Sequence, residues 1–209
     1  MVHRRDLNGQ TLVFGNQGAL WGNAMTWWDH GTGSVWSQPL GEAILGPRKG
    51  DRLELFPSSM TTWGAWRDAH PDTLALDAPG GFDRTSLRNV AIVVDLGSET
   101  AAYPISVLER ESVINDTVAG VEIAVVLDPA DASRWAVFAR EIDGTVVELV
   151  VRDGTLLDPT SGTVFDPVRG IGAGGALDGE ILGHLAAFTS FPEDVPTFWP
   201  SAQFWDGSA

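Results

Sequence analysis

Short apolar runs separated by glycine, asparagine and aspartate make up most of this chain. Residues 90–96 and 121–127 are nearly continuous apolar runs, which is typical of buried strands. The other predicted strands, all bounded by turn-forming residues, cover residues 24–28, 35–38, 53–56, 134–139 and 146–151. Many short strands with few helices favour a sandwich or barrel of β-sheets over alternating strands and helices.

Two dipeptides predict tight hairpins. Asn8-Gly9 and Asp143-Gly144 supply the pair of positive φ angles that a two-residue turn requires. Each dipeptide is therefore expected at the centre of a β-hairpin. Residues 15–22, which follow the first of these hairpins, are predicted to form a loop.

The clearest helix signal covers residues 62–70. Trp63, Trp66 and Ala69 fall on one face at helical spacing, and Pro71 ends the pattern. A second short helix is predicted from Tyr103 to about Arg110.

Two further segments are predicted from their composition. Residues 115–120, which read NDTVAG, predict a turn in which Asn115 and Asp116 form an Asx turn. The tail from residue 191 to 205, rich in proline and aromatic residues, is expected to cover the sheet as a short helix or an irregular segment.

The chain contains two similar stretches, residues 23–47 and 158–179. With Asp29 placed on Asp158, the following pairs match without a gap: Gly33 with Gly162, Val35 with Val164, Trp36 with Phe165, Gly41 with Gly170 and Gly50 with Gly179. Because self-similarity at a fixed spacing dictates architecture, we predict a duplicated β-rich unit.

Composition excludes several classes of partner. The chain has 28 acidic residues against 13 lysines and arginines, and its net charge of −15 disfavours nucleic acids and anionic membranes. It has no apolar run of about 18 residues, so membrane insertion is not expected. The absence of cysteine excludes disulfides and thiolate catalysis. Without a secretory signal in this chain we expect a cytoplasmic protein, or an exported one if the natural start lies upstream.

The sequence contains no catalytic or cofactor motif that also has the secondary structure such a motif requires. The four histidines have no zinc-binding spacing, so no metal site is predicted. Residues 170–175 match G-x-G-x-x-G, but no buried strand precedes them and no long helix follows, which excludes a dinucleotide site. We predict no cofactor and assign no catalytic residue.

Several segments resemble a family known only as domain of unknown function 3179 (DUF3179). The matching pieces are Tyr103-Pro104-Ile105, residues 113–120, Thr32-Gly33-Ser34-Val35-Trp36-Ser37-Gln38, residues 41–57 and residues 61–73. The resemblance implies two repeats, of which the first normally begins well before its Asn-Gly hairpin. It also implies a cysteine-containing segment in the first repeat, which this chain lacks.

This resemblance implies a mainly β protein with a few short helices, built as a duplicated sandwich-like or barrel-like repeat whose first copy is incomplete. Residues 1–78 are then a partial first repeat, residues 79–87 a linker, and residues 88–209 a complete second repeat. The alternative is a single merged globular domain.

The candidate binding residues lie in and near the tryptophan-rich stretch. Trp27 and Trp28 are neighbours in a predicted strand and face opposite sides, so one indole is expected outside the core. An exposed indole can stack on a sugar or an organic cation. The residues predicted to bind a ligand are Asn23, Trp28, Asp29, His30, Trp36, Gln38, Trp63 and His70. The competing interpretation is that these rings fill the gap between the sheet and the helix at 62–70.

The sequence is compatible with three functions. The favoured one is a non-catalytic module that binds a small molecule, a glycan or a partner protein. The second is a hydrolase in which Asp29, His30 or Asp116 act as acid and base, which requires a cleft that holds two of them together. The third is a structural or degenerate fragment that forms homo-oligomers through an unpaired sheet edge.

Overall fold

A computed structural model of the chain describes residues 1–58, 60–75 and 89–207. The fold is mainly β with short helices, as the sequence predicts. The predicted linker at residues 79–87 lies outside the described residues. No helix in the described ranges is both long and apolar enough to cross a membrane.

The described residues of the first part of the chain form six strands and one helix. They are β1 (Asp6–Leu7), β2 (Gln10–Thr11), β3 (Phe14–Trp21), β4 (Ala24–Asp29), β5 (Val35–Ser37), β6 (Glu42–Leu45) and α1 (Trp63–Ala69). β1 and β2 form the predicted hairpin around Asn8-Gly9. β3 to β6 form an antiparallel four-stranded sheet in sequence order, which we call the first meander.

The second part of the chain begins with five strands and one helix. They are β7 (Ala91–Asp95), β8 (Thr100–Pro104), α2 (Ile105–Glu111), β9 (Val113–Val118), β10 (Val121–Leu127) and β11 (Trp135–Ala139). The elements that follow are β12 (Glu141–Ile142), β13 (Thr145–Val146), β14 (Val150–Arg152), β15 (Thr155–Asp158), β16 (Thr163–Phe165), β17 (Gly172–Ala173), β18 (Gly183–His184), β19 (Phe188–Ser190), α3 (Val195–Phe198) and β20 (Gln203–Phe204). β14 to β17 form the second meander.

Two sheets at the centre of the molecule enclose the largest apolar core. One has the strand order β19-β7-β8-β20 and the other β18-β11-β10-β9. Ile92 and Tyr103 from the first sheet pack with Ile123, Val125 and Val137 from the second, and all five side chains are essentially inaccessible to solvent. This arrangement is a β-sandwich, in which facing side chains of two sheets form the core.

Both central sheets are also covered on their outer faces. Ala124 and Phe138 point away from the sandwich core and pack against Phe165 of the second meander. On the other side, Val93 packs against Val195 of α3, in a cluster that also includes residues of the first part of the chain. Because β7 and β10 are buried on both faces, their sequences are apolar without alternation.

The two meanders have the same backbone hydrogen bonds at one constant offset in residue number. Gly33 N donates to Asp29 O as Gly162 N donates to Asp158 O. The same agreement holds for three more bonds: Gly41 N to Ser37 O with Gly170 N to Asp166 O, Gly50 N to Ala43 O with Gly179 N to Gly172 O, and Leu53 N to Gly41 O with Leu182 N to Gly170 O. The duplication of a β-rich unit stays a prediction, and what the two meanders share is this set of backbone hydrogen bonds.

The first meander differs from the second in its first hairpin. β3 has 8 residues, whereas the corresponding β14 has 3. The longer hairpin reaches α3, where the rings of Trp21 and Phe198 lie 5.5 Å apart in an edge-to-face arrangement. The extension therefore links the two parts of the chain.

Two of the predicted elements are wrong in the first part. Residues 15–22 are not a loop, because β3 covers most of them and pairs with β4 around a bulge. The glycines and polar residues that suggested a loop produce this bulge, in which the Asn16 side chain accepts from Gly18 N. Residues 53–56 are not a regular strand, since Leu55 makes only an isolated bridge with His3.

Three predictions in the second part also need correction. Asn115 and Asp116 do not form a turn, because they lie within β9, and the turn is at Ala119-Gly120. Tyr103 belongs to β8, and the helix begins after Pro104. Residues 146–151 are divided between β13 and β14.

Gly22 provides a test of the contact between the hairpin and α3. It has a φ of +56°, and a Cβ atom on it would lie 2.7 Å from the Thr197 Cγ2 atom. Gly9 has a φ of +77°, and no atom lies within 4 Å of a Cβ atom added there. A side chain at Gly9 would therefore introduce backbone strain without a steric clash. We expect Gly9→Ala to lower the free energy of unfolding by about 1 kcal/mol, and Gly22→Ala by about 2–4 kcal/mol because overpacking is added.

Urea unfolding of both variants, followed by tryptophan fluorescence, measures this difference. Equal losses for Gly9→Ala and Gly22→Ala would mean that the hairpin tip does not press on α3.

Candidate functional site

Asp29 closes the turn between β4 and β5 from a fully buried position. Its carboxylate accepts hydrogen bonds from Trp36 Nε1 at 3.0 Å, from Thr32 N at 2.6 Å and from the Thr32 hydroxyl at 2.9 Å. Burial raises the pKa of Asp29. The hydrogen bonds from Trp36 and Thr32, together with the charge of Arg48, lower this pKa by a larger amount, so the net shift is downward. Asp29 is therefore an ionised group that stabilises the turn.

Asp158 occupies the same position in the second meander. It is also buried, and it accepts from Ser161 N at 2.9 Å and Thr160 N at 3.3 Å. Burial raises its pKa, whereas the bonds from Ser161 and Thr160 bring about a net lowering. Phe165 replaces Trp36 here, so this turn lacks the indole donor.

Trp28 and His30 lie outside the core, on either side of Asp29. Their rings are stacked, with centroids 4.3 Å apart and planes within 5° of each other. Trp28 is 36% exposed and His30 is exposed. Gly15 lies beneath both rings, since a Cβ atom on it would be 2.6 Å from Trp28 Nε1 and 3.3 Å from His30 Nε2. This pair, the Trp28–His30 stack, is an exposed part of the predicted binding set.

Asn23 and Gln38, the other two predicted binding residues of the first meander region, lie in a turn and directly after β5. Asn23 is exposed in the turn between β3 and β4, where its φ is +64°. Gln38 is half-buried, and its backbone carbonyl lies 2.9 Å from His3 Nε2.

Trp63 and His70 belong to a different surface, on and just after α1. Trp63 is 49% exposed and Trp66 is 44% exposed, so the expectation that these rings fill a gap beneath the helix is wrong for both. The rings of Trp66 and His70 lie 4.0 Å apart, and Trp66 Nε1 donates to the Thr73 hydroxyl at 3.1 Å. These aromatic side chains pack on one another at the surface.

The three residues of the hydrolase hypothesis occupy different environments. Asp29 is inaccessible and hydrogen-bonded through both oxygens, whereas His30 stacks on Trp28 at the surface. Asp116 lies on β9 and lines a cavity that neither of the other two reaches. The geometry therefore gives no support to an acid–base pair among them.

The cavity beside Asp116 has a volume of about 250 Å³. Tyr103 from β8 and Asp116 from β9 meet in its wall, where the tyrosine hydroxyl donates to Asp116 Oδ2 at 2.7 Å. The second oxygen of Asp116 accepts from Thr117 N at 2.7 Å. Strand β9 thus directs Asp116 toward the cavity, whereas its neighbour Asn115 binds Leu149 through the side-chain amide and holds β9 to the start of β14.

Tyr103 stays protonated in this environment. Burial raises the pKa of its hydroxyl, and the hydrogen bond to Asp116 and the negative charges of Asp116 and Glu99 raise it further. Glu99 lines the same cavity and accepts from Ala119 N at 2.7 Å. The phenol is therefore a hydrogen-bond donor and not a base.

The end of the chain forms the remaining wall of the cavity. β20 runs parallel to β8, and Trp205 N donates to Ala102 O at 2.9 Å. The indole of Trp205 lies 6.2 Å from the Tyr103 ring, and Phe204 is 39% exposed at the cavity rim. Within the described ranges, no group of three or more potential ligand side chains is placed to hold a metal ion.

Sequence reasoning identified Asp116 but missed Glu99, Tyr103 and Trp205. Tyr103 is the single tyrosine of the chain, next to a nearly continuous apolar strand, and this was the available signal. Nothing in the sequence places Trp205 beside it, because 101 residues lie between the two positions along the chain.

Comparison with known proteins identifies a family for the first part of the chain. The family model described as "Protein of unknown function (DUF3179)" matches residues 1–89. This match confirms the family predicted from the sequence, over the segment that contains the first meander and α1. No curated protein and no solved structure matches the chain.

The two buried aspartates offer a matched pair of variants. We expect Asp29→Ala to lower the free energy of unfolding by about 3 kcal/mol, because it leaves the buried indole N–H of Trp36 without an acceptor. Asp158→Ala should cost less, about 1–2 kcal/mol, because Phe165 has no donor to lose. Urea unfolding measures both values, and an equal or larger loss for Asp158→Ala would contradict the role assigned to Trp36.

The lowered pKa values of Asp29 and Asp158 predict that the stability of the fold depends on pH. Their pKa values are lower in the folded chain than the value of about 3.9 in an unfolded one. Their contribution is therefore fully present above about pH 4 and is lost as the pH falls toward the folded-state values. In urea unfolding between pH 7 and pH 3, the double variant Asp29→Asn/Asp158→Asn should lose less stability than the wild type, and parallel losses would refute the assignment.

Proposed function

We propose that this protein is a non-catalytic binding module that takes a small organic cation into the cavity beside Tyr103 and Asp116. One observation carries the proposal: the charged groups among the described residues that line the cavity, Glu99, Asp116 and Asp206, are all acidic. A concave site with a few convergent polar groups is the usual form of a small-molecule site.

The chemistry of the wall favours an ammonium group that carries N–H donors. The carboxylates of Glu99 and Asp116 can each accept further hydrogen bonds, because a carboxylate has about four acceptor positions. Trp205 and Phe204 add aromatic surface, which attracts cations through the ring quadrupole. A volume of about 250 Å³ lies below the range typical of drug-sized ligands, which favours a small amine.

The charge of the whole chain works in the same direction. A net charge of −15 produces a negative potential that raises the local concentration of cations and repels anions. Binding should weaken as salt is added, because the screening length falls to about 8 Å at physiological ionic strength.

Catalysis at this site has little support from its residues. Tyr103 is held in its protonated form by burial and by the neighbouring carboxylates, which raise its pKa. None of the described residues that line the cavity is a histidine. The groups present are suited to holding a cation and not to proton transfer at neutral pH.

Isothermal titration calorimetry with n-butylamine tests the proposal, with n-butanol as the neutral probe of similar shape. We expect binding of the amine and no binding of the alcohol. Asp116→Asn should weaken amine binding about tenfold or more, since it removes a charge in contact with the ligand. The matched control is Asp143→Asn, which removes the same charge at an exposed turn where the first hairpin carries Asn8.

Two results would refute the cation site. One is equal binding of n-butylamine and n-butanol, and the other is equal affinity of the Asp116→Asn and Asp143→Asn variants for the amine.

A second function, protein interaction through α1, is favoured by the exposure of Trp63 and Trp66. At the offset that relates the two meanders, α3 lies at the position of the second half of α1, and its residues Val195 and Phe198 are buried against the central sheet. Among the residues that the structure describes, the tryptophans of α1 have no such cover, and they are 49% and 44% exposed. The strand β3, which is an edge strand among the described residues, is a weaker candidate, because its bulge and its side-chain bonds to Gly18 N and Ala19 N interrupt the edge.

Sedimentation velocity tests whether α1 mediates self-association. The wild type should form a homo-oligomer as its concentration rises, and Trp63→Ser/Trp66→Ser should abolish this. Val146→Ser, which removes another exposed apolar side chain, should leave it unchanged. A wild type that stays monomeric at every concentration would rule out this interface.

A further inference from the structure

We infer that the first meander carries a second binding site, in which a neutral sugar ring stacks on Trp28 beside His30. This site is independent of the cation cavity, because the two share no residue. The aromatic residues of this site occur in the first meander, whereas the second meander has Leu157 and Pro159 at the corresponding positions.

The site is a row of uncharged side chains across one face of the sheet. Gly15 pairs with Trp28, Trp28 with Val35, and Val35 with Leu45. Residues directly opposite each other in paired strands share a face, so these positions form one surface. Leu45 is 59% exposed and Trp28 is 36% exposed.

Gly15 determines how the aromatic rings are presented. A Cβ atom at this position would collide with the Trp28 indole nitrogen at 2.6 Å, so only glycine leaves room for the observed orientation. The Trp28–His30 stack, at 4.3 Å and 5°, fixes the indole against the imidazole. A rigid indole loses little conformational entropy when a ligand binds.

The second meander shows that the fold does not require these aromatic side chains. At the constant offset, Leu157 and Pro159 take the positions of Trp28 and His30, and Leu157 pairs with Val164 as Trp28 pairs with Val35. The backbone hydrogen bond that closes the following turn is the same in both meanders, from Gly33 N to Asp29 O and from Gly162 N to Asp158 O. Trp28 and His30 are therefore additions to a scaffold that forms without them.

The chemistry of the row points to a neutral carbohydrate. All four of its members are uncharged in a chain of net charge −15, so the row offers no ion pair to a charged ligand. The C–H face of a sugar ring packs on an indole, and the ring nitrogens of His30 can bond to sugar hydroxyls. From Trp28 to Leu45 the row crosses two strand spacings, about 10 Å, which accommodates more than one sugar ring.

Titration with neutral cello-oligosaccharides and chito-oligosaccharides, followed by calorimetry and tryptophan fluorescence, tests this inference. The wild type should bind at least one of these probes. Trp28→Leu, which introduces the residue of the second meander, should weaken binding about tenfold or more and leave the urea midpoint nearly unchanged. Leu157→Ala, at the matching position of the second meander, should leave sugar affinity unchanged.

His30→Ala provides a second variant in case Trp28→Leu alters folding, because an exposed side chain is removed and the indole is kept. It should also reduce sugar affinity. Binding of n-butylamine should be unaffected by both variants, and sugar binding should be unaffected by Asp116→Asn, so failure of one site is distinguishable from failure of the other.

Three results would overturn the inference. The first is the absence of binding for every neutral oligosaccharide tested. The second is unchanged affinity in both Trp28→Leu and His30→Ala. The third is self-association of the wild type that Trp28→Leu abolishes, which would assign this face to a second copy of the chain.

Discussion

The burial of two central sheets on both faces is the constraint on which the rest of the structure depends. β7 and β8 are covered on one side by the sandwich core and on the other by α3 and the first part of the chain. β10 and β11 are covered in the same way by the sandwich core and the second meander. Burial of this apolar surface is the dominant stabilising contribution in folding, and it requires each meander to lie against the centre.

The meanders themselves depend on buried carboxylates in their turns. Asp29 and Asp158 are inaccessible to solvent and accept backbone and side-chain donors. A buried charge is tolerated only when it is fully hydrogen-bonded, so these turns have little freedom to change shape. The same backbone can then carry different residues around it: Trp28, His30 and Trp36 in the first meander, and Leu157, Pro159 and Phe165 in the second.

Both proposed sites include exposed aromatic side chains, Phe204 at the cavity rim and Trp28 on the first meander. The cavity forms where β8, β9 and the end of the chain converge, so its carboxylates come from segments that are distant in sequence. The Trp28–His30 stack forms on the outer face of the first meander, which no other sheet covers among the described residues. One site suits a cation and the other a neutral ring, because their charges differ.

By itself, the sequence determined several local elements and the resemblance to the family whose model matches residues 1–89. Asn8-Gly9 and Asp143-Gly144 produce hairpins because their backbone preferences act within a few residues, and α1 lies where helical spacing placed it. The tertiary structure alone decided whether residues 15–22 would pair with β4, whether Asp116 would lie in a strand, and which tryptophans would be buried. It also brought Tyr103, Asp116 and Trp205 together. These outcomes depend on contacts between distant segments, and a pattern read within a short window contains no information about the partner that a side chain will meet.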